Sequence, residues 1–288
     1  MTRAIVIAVL WLLATSTTPQ AQPVPRALGV SIGWQRGAAA ADLVLATFAP
    51  SVWMDWVHNP LRMSDDSYAP MAYSLKATYA QRYIDAAADT PGRFWLLGSE
   101  PHCCGTGTNP IEAAAFVQRW QAEVGGDYAC CGVVLWDGYG WREWLEAYLL
   151  AGGPKSPYCH AHLFSRFAVP HITDLRAWLD EHAWDCELIL SEVADPWDSV
   201  ANNIHLMSEV ARLIADGRVQ AAIWYSADPY RDYHGLWPNT GLLDDGGVTI
   251  TPLGYHWLSL QPGGANDPRA TATPGMESMM WLPELRIE

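Results

Sequence analysis

Positive charge is scarce in this chain. Its 288 residues hold 17 Lys and Arg against 31 Asp and Glu, a formal net charge of -14. Nucleic acids and anionic membranes are bound by basic footprints, so the charge balance argues against both as partners. Charge of either sign is sparse, at 17% of residues, whereas 50% of the chain is hydrophobic. That excludes a disordered chain and provides for a substantial core. No Gly-rich phosphate turn follows the first strand signal, which argues against a doubly wound nucleotide-binding sheet. Neither Ser99 nor Ser191 sits in a Gly-x-Ser-x-Gly turn, which disfavours a serine hydrolase. His102 stands beside Cys103 and Cys104 without the ligand spacing of a zinc site, so no metal or cofactor is expected. Beyond the N-terminus no apolar run is long enough to span a bilayer.

What is plentiful is aromatic: 16 Trp and 12 Tyr. A single such ring is more often core than site, but so many, with several at strand ends, suit a surface that stacks on the flat apolar faces of sugars. At the N-terminus, Arg3 is followed by an uncharged apolar stretch from Ala4 to Ala14 and small polar residues to Ala21. This reads as an export signal over residues 1–21, too short for a transmembrane helix, with an uncleaved anchor as the lesser alternative. The mature protein is therefore expected outside the cell or in its envelope.

Six cysteines in an exported chain make disulfides plausible. Cys131, Cys159 and Cys186 fall at the starts of strand signals, so in a parallel barrel they share one end. A bridge within this group is expected, with Cys130 as a further candidate. Cys103 and Cys104 follow a carboxylate at the opposite end, where they form a vicinal disulfide or stay reduced.

Eight short apolar runs punctuate the chain: Ala27–Trp34, Ser51–Trp56, Tyr68–Tyr73, Phe94–Ser99, Cys131–Trp136, Tyr158–Phe164, Cys186–Glu192 and Gln220–Tyr225. Between most of them lie helical patterns, over Ala38–Phe48, Leu75–Ala88, a segment opened by Asn109-Pro110, one ending near Leu150, Ile172–Ala183 and Ser199–Ala215. A last short helix opens at Thr251-Pro252. The link between the second and third runs has little room for a helix. Runs without polar alternation fit strands buried on both faces. Eight of them over residues 22–262 predict a single α/β domain, a (β/α)8 barrel, followed by a linker-like tail from 263 to 288.

In such a barrel the site lies at the C-terminal ends of the strands. Glu100 ends the fourth run and Glu192 the seventh, and each is followed closely by a proline. Two carboxylates facing each other across a barrel mouth are what glycoside cleavage needs, one to protonate the leaving oxygen and one to attack or to activate water. The other strand ends contribute Trp34, Trp56, Tyr73, Ser99, Trp136, His162, Trp224 and Tyr225, with His102 just beyond Glu100. His162 on an apolar strand also has the plain reading of a satisfied core histidine, and Trp224-Tyr225 that of barrel packing.

Several stretches, in order, resemble a known group. They are Val52-Trp53-Met54-Asp55-Trp56, Ala69-Pro70-Met71, Trp95-Leu96-Leu97-Gly98-Ser99-Glu100-Pro101, His160-Ala161-His162, Leu190-Ser191-Glu192, Trp224-Tyr225 and Thr251-Pro252-Leu253-Gly254. Together they are similar to clan A glycoside hydrolases. The nearest likeness is to the glycosyl hydrolase catalytic-core group related to fungal alkali-sensitive cell-wall proteins and β-1,3-glucanases. The resemblance implies a retaining hydrolase of a β-linked glucan or similar polysaccharide, with Glu100 as acid/base and Glu192 as nucleophile. It also implies that His162 and Tyr225 border the reacting sugar and that Trp224 is its stacking floor. Ser99 replaces the group's Asn before the acid/base, His102 stands where an acidic residue is common, and no arginine ends the second run. A barrel that binds carbohydrate without cleaving it, and a structural envelope protein, are the alternative readings.

Overall fold

The structure is a computed structural model that describes residues 24–33, 37–56, 62–104, 106–227, 230–232, 235–237, 239–244 and 247–264. The expected export signal, Trp34 and all but the first two residues of the expected tail lie outside the described residues.

Eight parallel strands form one sheet: β1 (Ala27–Ser31), β2 (Trp53–Met54), β3 (Met71–Ala72), β4 (Trp95–Leu97), β5 (Tyr128–Val134), β6 (Tyr158–Leu163), β7 (Glu187–Val193) and β8 (Ala221–Trp224). Their order is β2-β1-β8-β7-β6-β5-β4-β3, so the first strand pairs with the last. The remaining gap, between β2 and β3, is spanned by one parallel bridge from Trp53 to Tyr68. The result is a near-closed barrel, as the alternation of apolar runs and helices predicts. Around it run α1 (Gly37–Phe48), α2 (Ala77–Ala88), α3 (Pro110–Glu123), α4 (Trp141–Leu150), α5 (Ala168–Glu181), α6 (Val200–Ala215) and α7 (Pro252–Ser259). A two-stranded antiparallel ribbon, β9 (Tyr230–Asp232) and β10 (Gly235–Trp237), follows the eighth strand. No described helix is long and apolar enough to cross a membrane.

The helix starts are written locally. Asn109 accepts the Ile111 N–H at 2.8 Å, Ser199 the Asn202 N–H at 3.2 Å and Thr251 the Gly254 N–H at 3.1 Å, each satisfying a donor that the first helical turn leaves open. Pro110 and Pro252 occupy first-turn positions where no N–H is required. The β2–β3 connection contains no α-helix among its described residues. Instead Arg93 donates to the carbonyls of Asp65 (2.6 Å) and Met63, and Trp53 donates its indole N–H to Asp65 at 2.9 Å. A loop whose carbonyls are satisfied from outside needs no internal helix.

Successive side chains alternate between two cores. Met54, Leu96, Ala221 and Ile223 face the barrel interior with Val52, Met71 and Ile189, whereas Trp53, Trp95, Leu97, Ala222 and Trp224 pack outward among Phe48, Trp120 and Trp257 of the helices. This parity corrects one expectation. Trp224 is 1% exposed, and its indole N–H donates to the Thr240 carbonyl at 2.8 Å. It is a core ring under the helices and offers no face to a sugar.

The expected bridge within the cysteine group forms, and only the placement of Cys131 at a strand start is corrected. Cys159 and Cys186 are joined, with Cα atoms 5.7 Å apart, which ties β6 to the start of β7. Closing that loop, 27 residues in separation, stabilises the fold by about 3–4 kcal/mol. The fifth strand begins at Tyr128 rather than Cys131, so Cys130 and Cys131 lie inside it and pair with each other. Cys103 and Cys104 form a vicinal pair, the first of the two alternatives left open for them.

Candidate active site

Glu100 owes its position to a short piece of irregular backbone. After β4 the Gly98 N–H still donates to Ala72 (2.9 Å) and the Ser99 N–H to Tyr73 (3.0 Å), so the chain goes on pairing with β3. It then swings over to β5, where the Glu100 N–H donates to the Gly132 carbonyl at 2.8 Å. Two conformations make the swing. Gly98 has φ +93° and Glu100 itself has φ +49°, a left-handed conformation that non-glycine residues adopt at a cost. On the other side, Gly132 is the extra residue of a bulge in β5, between the Cys131–His160 and Val133–Ala161 pairs. A Cβ there would stand 2.4 Å from the Gly98 oxygen and 2.8 Å from the His160 ring. Gly132→Ala is therefore expected to destabilise the protein by at least about 2 kcal/mol, from the φ of +71° and the overlap together. An unchanged midpoint in urea unfolding would show that the bulge has room to relax.

Glu192 is placed by a second bulge. Ala161 pairs with Leu190 and His162 with Glu192, so Ser191 is the extra residue of β7 and His162 stands directly opposite Glu192. Both bulges flank the same strand, β6, at His160-Ala161-His162.

The outcome is a compact ionisable set. Oxygens of Glu100 and Glu192 and a ring nitrogen of His162 all lie within 4.8 Å of one another. His162 Nδ1 is 3.2 Å from Glu100 Oε1, and its Nε2, which has no hydrogen-bond partner among the described residues, is 3.6 Å from Glu192 Oε1. Trp56 donates its indole N–H to the same Glu192 oxygen at 2.5 Å. Glu192 and His162 are buried, whereas the Glu100 side chain keeps 17% of its surface. Burial pushes the Glu192 carboxyl up to about 7, helped by the charge of Glu100 and opposed by His162 and the Trp56 N–H. Burial would also raise Glu100, but the hydrogen bond and charge of His162, with a smaller effect of His102, hold it below the usual carboxylate range. His162 is raised: burial acts against its charge, and the two carboxylates outweigh it.

The other sequence-predicted residues divide. Tyr225 is buried against the set, edge-on to Trp56 at 5.3 Å and to Phe164 at 5.6 Å. Tyr73 is half-buried and Ser99 buried, and both hold the Glu100 turn through main-chain contacts. Half-buried His102 is driven down to about 4 by burial and meets Tyr139 edge-on at 6.4 Å. Trp136 is 46% exposed and packs edge-on against Tyr139 (5.6 Å) and Trp197 (5.7 Å). Trp197 and Tyr139 were not singled out by the sequence. Their signal was available, since Trp197 follows Glu192 within five residues and Tyr139 follows Trp136 within three.

Sequence reasoning also passed over His160. It is fully buried, with Nδ1 2.8 Å from Ser191 Oγ and Nε2 3.0 Å from the Leu97 carbonyl. A carbonyl only accepts, so Nε2 bears the proton and Nδ1 accepts the Ser191 hydroxyl. Burial depresses its pKa to about 3, so the ring is neutral.

A cavity of about 560 Å³ lies elsewhere, at the opposite end of the barrel, lined by Val24, Val52, Ala69 and Phe94 at the strand starts. Its Arg93 and Asp66 stand 3.7 Å apart, with Asp66 fully exposed, and it holds no pair of buried acids. The clustered acids and His162 lie at the other end, the C-terminal mouth.

Solved structures of known barrels share this fold. A GH128 (subgroup VI) exo-β-1,3-glucanase from Aureobasidium namibiae matches with a TM-score of 0.63 at 16% identity, over 83% of this chain and 97% of its own. This chain shares the (β/α)8 barrel fold of that enzyme. A GH128 (subgroup I) endo-β-1,3-glucanase from Amycolatopsis mediterranei, solved with laminaritriose, matches at 0.60 and 18% identity, over 81% of this chain and 98% of the other. A curdlan-specific exo-β-1,3-glucanase of subgroup III from Blastomyces gilchristii, solved with glucose, matches at 0.58 and 15% identity, over 83% and 100%. No family model matches the sequence, and no curated protein does.

Proposed function

We propose that this protein is an exported glycoside hydrolase that cleaves a β-linked glucan with retention of anomeric configuration. Glu192 would be the nucleophile and Glu100 the acid/base. The observation that supports this most is the carboxylate spacing. One oxygen of each glutamate lies within 4.8 Å of the other, a spacing compatible with the ~5–5.5 Å carboxyl separation of retaining enzymes. The glucanases of like fold, one solved with laminaritriose and one specific for curdlan, make a β-1,3-glucan the first substrate to try. Trp56, Phe164 and Tyr225 form an aromatic wall beside the acids, and Trp136, Tyr139 and Trp197 an exposed aromatic rim on which further sugar units stack.

The resting protonation needs one adjustment before reaction. Below about pH 7 the raised Glu192 holds a proton in preference to the lowered Glu100, whereas the chemistry needs the reverse. His162 connects the two, with Nε2 toward Glu192 and Nδ1–H on Glu100. A proton passing from Glu192 to Nε2, with the Nδ1 proton passing to Glu100, leaves an ionised nucleophile and a protonated acid with no net change of charge. Glu192 then attacks the anomeric carbon while Glu100 protonates the departing oxygen. Afterwards Glu100 takes a proton from the water that releases the sugar.

A 2-deoxy-2-fluoro β-glucosyl or laminaribiosyl fluoride tests the reading, because it forms the covalent intermediate quickly and releases it slowly. The expected result is a single added sugar on the peptide containing Glu192. An α-configured first product in NMR would overturn the retaining assignment. Saturable glycan binding with no turnover and no label would make the barrel a binding protein.

A further inference from the structure

Glu100 follows β4 and Glu192 lies in β7, strands that are not neighbours, and each comes after an irregular segment of backbone. One buried side chain reaches both segments. From β6, His160 donates Nε2–H to the carbonyl of Leu97, the last residue of β4, and accepts the hydroxyl of Ser191, the residue before Glu192. Gly132 leaves the space its ring occupies, since a Cβ there would meet His160 Cε1 at 2.8 Å. The bulges of β5 and β7 therefore open on either side of this imidazole.

We propose that His160 is a positioning residue that fixes the separation of Glu100 and Glu192 by clamping Leu97 to Ser191 across β6. The proposal rests on the reading of those glutamates as the reacting pair. Three features make the clamp specific. Both ring nitrogens are engaged, so the imidazole has one tautomer and one orientation. Leu97 is three residues before Glu100 and Ser191 one before Glu192, so a shift of either anchor moves the carboxylate with it. The neutral ring adds no charge between the acids, which leaves that role to His162. His162 faces Glu100, Glu192 and the rings of His160 and Phe164, whereas His160 touches neither carboxylate in any hydrogen bond.

Two variants test the clamp. Ser191→Ala removes one anchor with little change of volume, and His160→Gln keeps a donor and an acceptor at the wrong span. Both are purified and checked by thermal unfolding, so that folded protein alone is compared. The expected result is a fall in kcat of about 10- to 100-fold at a KM within twofold, the scale of a misplacement of about 1 Å. A second readout does not depend on turnover. Carbon-13 NMR of glutamate-labelled protein follows the Glu100 and Glu192 carboxyl titrations, assigned by Glu100→Gln and Glu192→Gln. A changed separation shifts both midpoints in Ser191→Ala. Wild-type kcat with unshifted carboxyl titrations in a folded variant overturns the clamp. So does activity that falls only in proportion to the folded fraction. If the wild-type protein cleaves no glucan at all, the hydrolase reading fails, and the carboxyl titrations alone decide the clamp.

Discussion

Glu100→Gln is expected to lower turnover of a laminari-oligosaccharide by about 10²–10⁴-fold, the usual worth of a positioned general acid. The same substitution should cost far less on a dinitrophenyl β-glucoside. A sugar leaves as a strongly basic alkoxide unless it is protonated in flight, whereas dinitrophenolate is stable enough to leave unaided. Gln keeps the Oε1 that His162 Nδ1 donates to at 3.2 Å, and it keeps the left-handed φ of +49° no worse than Glu does, so the variant isolates the lost proton. Values of kcat/KM on the two substrates, which report the glycosylation step and not the later water attack that Glu100 also assists, check the prediction. Equal losses on both would mean that Glu100 positions the sugar rather than protonating it.

The barrel was legible because buried parallel strands write themselves as uninterrupted apolar runs. Phe94 to Ser99 and Cys186 to Glu192 each deliver a glutamate to a strand end, and that pattern survives without any knowledge of neighbours. What was not legible is whatever depends on register. Gln220 to Tyr225 reads as apolar throughout, so the sequence does not say that Trp224 faces the helices; the parity set by Ala221 and Ile223 in the barrel interior does. Both bulges escaped for the same reason. Gly132 and Ser191 are ordinary strand residues in sequence, and only their pairing to β6 reveals each as an extra residue. His160 could have been found, since it lies two residues from His162 and a strand puts such residues on one face. Its polar partners, a main-chain carbonyl of β4 and a hydroxyl of β7, come from far along the chain and leave no local trace. The cysteines illustrate the limit from another side. That Cys159 meets Cys186 follows from two strands starting at one end, but Cys131 lies mid-strand because β5 starts three residues earlier than its apolar run.

The glutamate that supplies the nucleophile should also be a liability to the fold, and Glu192→Gln is expected to show it. The carboxyl is held at about 7, above its unfolded value near 4.5, because it is buried where its charge is poorly solvated. Between those values the native state keeps a proton that the unfolded chain has released. Stability from this group is thus fully present below about 4.5 and falls as pH rises through about 7. His162, raised in the folded state, acts in the same direction, since its contribution is present below the unfolded value of 6.5 and is lost as pH climbs through the folded one. Glu100 acts oppositely: its lowered pKa contributes stability above its unfolded value of 4.5, lost as pH falls through the folded one. A Gln at 192 never ionises. Its oxygen can still accept the Trp56 N–H, and its amide can donate to His162 Nε2, which lacks a partner. The variant should therefore be more stable than the wild type at pH 8, by on the order of 2–3 kcal/mol, and indistinguishable from it near pH 4.5. Catalysis should meanwhile fall by at least about a thousandfold, because no covalent intermediate forms without the carboxylate. Unfolding midpoints of both proteins measured from pH 4.5 to 8 decide the matter. A stability difference that does not grow with pH would show that Glu192 ionises without strain, and the proton held in the resting site would then have to reside on His162.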